Sequence, residues 1–187
     1  MRETQKWKSR SPRLILGLAL LATAAFRGEA KAEQFTANLV SMQGGGAAQV
    51  VIHIDHYTSD QERNKLRSTL ATKGPDALRD ALWDVESGYL RISGGLGYPI
   101  AVARSQPAAD GGRVIRIMMD RPLSFRELAN NARSADYPFS YIELHLDRSG
   151  KGEGTMIPAA RVTLSGGTTD VEAFGPVPWR LLNVRAR

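Results

Sequence analysis

The sequence predicts an α+β protein that is mainly antiparallel β, a barrel or sandwich of about eight or nine strands. Two observations carry this expectation. Short runs rich in β-branched and aromatic residues recur along the chain, separated by turns containing Gly, Pro and Asp. Strands and helices do not alternate regularly, so nothing favours a parallel sheet. A two-helix insert is expected after the second strand, and one further short helix later in the chain.

The first strand is expected over Gln34–Met42 and the second over Ala48–Tyr57, with Gly44–Gly46 supplying the flexible turn between them. Ser59 followed by Glu62 fits a capping box, in which each side chain satisfies a free backbone N–H at the other's position. Asp60 and Glu62 suit the positive end of that helix, Leu66 and Leu70 form a narrow apolar stripe, and Gly74 is placed to stop it. Pro75 suits the first turn of a second helix, in which Leu78, Leu82 and Val85 line one face. Strands follow over Tyr89–Ser93 and Tyr98–Ser105, flanking a glycine-rich turn, and then over Gly112–Arg121. In this last strand Met118 is expected in the core and Met119 at the surface. Ser124 and Glu127 form another capping-box pattern and place the short helix at Ser124–Asp136. Tyr137–Asp147, Met156–Gly166, Gly167–Gly175 and Pro178–Val184 complete the strands.

Residues 1–32 read as a signal peptide: a basic leader, a 13-residue apolar stretch at Leu14–Phe26, and an A-x-A pattern at Ala30 and Ala32. Residues 33–187 then form one mainly-β domain, long enough to bury its own core. The expected location is periplasmic or extracellular, with no transmembrane segment in the mature protein. The chain has no cysteine, which excludes disulfides, thiol chemistry and cysteine-based metal sites. Its net charge of +6 comes from 25 basic and 19 acidic residues. Seven of the basic and two of the acidic residues lie in the leader, which leaves eighteen against seventeen. A nearly neutral domain with no basic run gives no reason to expect a nucleic-acid partner.

The candidate catalytic residues are His53, Asp55 and His145. Along a strand, successive side chains point to opposite faces, so His53 and Asp55 share one face while His56 lies on the other. The i, i+4 spacing by which a helix offers two histidines to a metal is absent, and no metal site or cofactor is expected. Tyr141, Glu143, His145 and Asp147 form a polar face of their own strand. If that face met His53 and Asp55, a His/carboxylate cluster would result. Arg121, Arg126 and Arg133 are the candidates for anion binding. Ser149–Thr155 (SGKGEGT) lacks the spacing and the following helix of a phosphate loop, and its glycines at every second position leave one face of a strand bare.

No catalytic signature appears. The expected function is therefore that of an exported, non-catalytic domain binding a small ligand or a protein partner. One alternative is a hydrolase or metal-dependent enzyme using the His/Asp/Glu residues. Another is a component of cell-envelope assembly that associates through sheet edges.

Overall fold

Strands that are apolar on alternate residues must bury one face, and a long antiparallel sheet does so by curling on itself. The computed structural model describes residues 32–40, 47–123, 136–166, 168–174 and 178–187, and within them the sheet curls in this way. The strands are β1 (Glu33–Val40), β2 (Ala47–Ile54), β3 (Gly88–Ile92), β4 (Gly97–Ile100), β5 (Val102–Pro107) and β6 (Arg113–Met119). They continue with β7 (Phe139–Leu146), β8 (Lys151–Ser165), β9 (Thr168–Ala173) and β10 (Trp179–Ala186). Helix α1 (Asp60–Leu82) lies between β2 and β3.

Nine strands follow one another in the order β4-β3-β2-β1-β10-β8-β7-β6-β5, all antiparallel, and off this path β9 pairs with β8. The two ends of that order are joined by the chain itself. Gly97–Pro107 is in effect one bent strand, interrupted at Ala101. Its first part pairs with β3 and its second with β6. At the bend the Ala101 N–H donates to the Met118 carbonyl and the Ser87 Oγ donates to the Ala101 carbonyl. The result is a nearly closed barrel, which decides between the barrel and the sandwich.

Twenty buried side chains fill the barrel, among them Phe35, Ile52, Leu90, Ile117, Leu144 and Met156. Each of these but Ala37 and Ala103 contributes about 1.5–3 kcal/mol by leaving water. The lumen is therefore a packed core. A second core lies outside the wall. There α1 sets Leu66, Leu70, Leu78 and Leu82 against Val102, Met118, Phe139 and the far half of β8. This corrects the expectation for Met119, while Met118 does pack in a core, the outer one. Met119 shares the phase of Ile115 and Ile117 and points into the barrel, whereas Met118 points outward beneath the helix.

The two-helix insert is also corrected: one helix runs from Asp60 to Leu82. Gly74 alone leaves helical geometry, at φ 83° and ψ −176°. Pro75 resumes the helix at once, because its fixed φ and missing N–H suit a first turn. The break is thus a kink with no connecting loop. The capping box is present: the Ser59 N–H donates to Glu62 Oε2 at 2.7 Å and the Glu62 N–H donates to Ser59 Oγ at 3.2 Å. Arg104 of β5 pins this end by donating to the Thr58 carbonyl and to Asp60 Oδ1 at 2.7 and 2.8 Å. The helix expected at Ser124–Asp136 lies almost wholly outside the described residues, as does nearly all of the leader.

Candidate functional site

His53 and Asp55 sit together at the end of β2, on the outer face of the barrel. His53 Nε2 lies 3.1 Å from Asp55 Oδ1, and the imidazole stacks on Tyr89 with ring centroids 5.1 Å apart. Nδ1 is buried and has no partner among the described residues. Only one ring nitrogen therefore faces outward, and the carboxylate holds it.

His145 belongs to a different group. Glu143 accepts from Arg116 Nε at 2.8 Å and from the Tyr141 hydroxyl at 3.1 Å, and it lies 2.8 Å from His145 Nε2. Arg116 also donates to Gln106 Oε1. Burial alone would raise the Glu143 pKa, but the hydrogen bonds to His145 and Arg116 hold it below the usual carboxylate range. Burial, and then the charge of Glu143, pushes the Tyr141 phenol well above its ordinary value.

The two histidine groups do not meet. From β2 to β7 there are four steps along the sheet through β1, β10 and β8, and five the other way through the bend. Both groups face outward, so they lie on opposite sides of the barrel. Among the described residues no three His, Asp or Glu side chains are grouped so as to hold a metal ion. Nor is any described helix long and apolar enough to cross a membrane.

Of the candidate arginines, Arg121 is engaged by its neighbour. Its Nε and a terminal nitrogen donate to the two oxygens of buried Asp120 at 2.9 and 3.0 Å, and its guanidinium lies over the Trp83 ring at 5.3 Å. That bidentate pairing uses the geometry an anion would need. Arg126 and Arg133 lie outside the described residues.

One group went unrecognised in the sequence. Glu33 and Arg113 stand on the inward-facing phase of β1 and β6, and they meet across the end of the barrel. Two guanidinium nitrogens donate to the two carboxylate oxygens at 3.0 and 2.5 Å, and the guanidinium lies over the Phe35 ring at 5.7 Å. These hydrogen bonds hold the Arg113 proton even more firmly than usual. The Tyr57 hydroxyl is buried beside the pair without an aligned hydrogen bond. A signal was available: Glu33 shares its phase with Phe35, Ala37 and Leu39, and Arg113 with Ile115 and Ile117. A charge on an apolar phase at a strand end marks a plug across a barrel mouth. Outside this mouth lie two open depressions of about 280 and 270 Å³ that share Arg113 and Asp147, the second reaching His145. Asp147 is committed to the β7–β8 turn, where one oxygen accepts from the Ser149 hydroxyl and from the backbone N–H groups of Ser149 and Lys151.

Burial, and then the negative charge of Glu33, raises the Tyr57 pKa to about 12. A phenol raised in the folded state stabilises the fold below its unfolded pKa of about 10, and that contribution is lost as pH rises toward 12. We expect urea-unfolding stability to fall by about 2 kcal/mol more in wild type than in Tyr57→Phe between those pH values. Parallel losses in the two proteins would refute this placement of the phenol.

Compared with known protein families, with curated proteins and with solved structures, the chain matches none.

Proposed function

We propose that the protein is a non-catalytic binding domain that works outside the cytoplasm and engages its ligand or partner on the outer surface of the barrel. The packed lumen carries this reading. A barrel filled by side chains such as Phe35, Ile117 and Leu144 has no room for a small molecule, so binding falls to the wall. The separation of His53 and Asp55 from His145 favours binding over the hydrolase alternative, which needs them in one cleft. The pattern of residues 1–32 supports export.

Two measurements test this reading. Amino-terminal sequencing of protein recovered from outside the cytoplasm is expected to begin at Glu33, and unprocessed protein confined to the cytosol would end the export part. A photo-reactive residue at outward positions of separate strands, such as Thr36, Gln106 and Thr155, is expected to give a discrete adduct from one side of the barrel. No adduct from any of them would end the surface-binding part.

A further inference from the structure

We infer that the outer face of β10, β1, β2 and β3 is a docking surface for an anionic polysaccharide, an extended chain bearing carboxylates. This rests on the reading of the protein as a binding domain and names the surface and ligand class.

Strand register places Lys151, Arg185, Thr36, Val51 and Arg91 in one row across five strands. Neighbouring strands lie about 4.8 Å apart, so Lys151 and Arg185 are one spacing apart, and Arg185 and Arg91 about 14 Å apart. Like charges directly opposite each other on a sheet destabilise it. Yet Lys151 faces Arg185, and among the described residues neither they nor Arg91 makes an ion pair. The nearest acid along the row is Asp147, whose carboxylate already accepts the turn hydrogen bonds.

The face also lacks acids of its own. On β1 the single carboxylate, Glu33, turns inward to Arg113. β10, β2 and β3 contain no Asp or Glu. Asp55, just beyond β2, is hydrogen-bonded to His53, and Glu153 of β8 is paired with Arg180. The opposite side differs on both counts. The outward cations of β5 and β6 there are paired, Arg104 with Asp60 and Arg116 with Glu143, and α1 covers much of that side.

Three features select the ligand. Gln34, Thr36, Asn38 and Gln49 stand at outward positions between the cations and suit hydroxyl groups. The stack of His53 on Tyr89, with Arg91 over Tyr89 at 5.2 Å, places a single ring pair beside the cations. It offers no succession of aromatics for bases. The exposed large apolar residues, Trp83, Val85, Leu96 and Phe174, all lie off these four strands, so no apolar anchor for a lipid surface is present among the described residues of the face.

The test is affinity electrophoresis of the processed chain through gels containing polygalacturonate or, as the neutral control, dextran. Retardation is expected with polygalacturonate alone, weakening as salt shortens the screening length to about 8 Å at physiological strength. The variant Lys151→Gln/Arg185→Gln/Arg91→Gln is expected to bind roughly tenfold more weakly or worse. Arg116→Gln, on the opposite face, is expected to bind like wild type. All three positions are exposed, and circular dichroism checks the fold. The single Arg185→Gln shows the same direction should the triple variant fail to fold. Equal binding by wild type and the three-site variant, no binding to polygalacturonate, or tighter binding to single-stranded DNA or phosphatidylglycerol vesicles would overturn the inference. Shortening of the bound polymer, read by size-exclusion chromatography, would support the face while ending the non-catalytic reading. Intact polymer without retardation would end the assignment of the face alone.

Discussion

Replacing Gly152 with alanine is expected to cost about 3 kcal/mol or more, a large share of the 5–15 kcal/mol that holds a typical domain together. Gly152 stands on the inward-facing phase of β8, opposite Leu146 of β7 and Val184 of β10. A methyl group there would be driven into the backbone carbonyl of His145, far inside van der Waals contact. That carbonyl belongs to a strand fixed by β6 on one side and β8 on the other, so it has nowhere to retreat. Gly154 is in the same situation against the Glu143 carbonyl and the Leu144 side chain. The cost is steric, because Gly152 does not have the positive φ that favours glycine. Gly94→Ala makes the contrasting case. Gly94 has φ 74° and open space around it, so only backbone strain of about 1 kcal/mol is expected. Urea unfolding of both variants measures the difference. A Gly152→Ala protein with the wild-type midpoint would mean that β7 and β8 do not approach this closely.

The same glycines show what a sequence can disclose. Their period of two is visible in GKGEG, and it excludes a phosphate loop and implies a bare strand face. What approaches that face depends on β7, and pairing is not written in either strand alone. The histidines follow the same rule. β2 ends at Ile54, three residues short of the strand expected, so His56 lies beyond it and exposed, and alternation does not place it; Ser59 with Glu62 marks a helix start, and that much of the junction was legible. Whether His53 would meet His145 depended on strand order across the whole chain, including the pairing of β1 with β10 from the far end. Closure was equally hidden, since it rests on a bend at Ala101 inside what reads as one strand. Met118 and Met119 were different. Ile115 and Ile117 set the phase of their strand, and counting on from them places Met119 inside. The helix break at Gly74 was visible, but its outcome was not: a Gly-Pro pair ends a helix or kinks it, and here the helix resumes at Pro75 and sets Leu78 and Leu82 on the apolar wall.

Breaking the pair at the barrel mouth is the second large effect expected. Glu33 and Arg113 come from strands four steps apart in the sheet, so their bidentate contact ties opposite walls together rather than neighbours. Removing either partner leaves the other charge facing Phe35 and Tyr57. A fully buried orphan charge costs about 3–5 kcal/mol, but these side chains are 28 and 31% exposed, so water recovers part of the loss and about 2 kcal/mol is expected for Glu33→Ala or Arg113→Ala. If the pair acts as a unit, the double variant costs clearly less than the two single losses combined, with a coupling of about 1–2 kcal/mol. Replacing both with apolar residues, as in Glu33→Leu/Arg113→Met, should restore most of the stability, because two desolvated charges are exchanged for packing against Phe35. Additive single losses in urea unfolding would show that the two side chains act separately. A Leu/Met variant as unstable as the single variants would show that the charges, and not closure of the mouth, are what the fold requires.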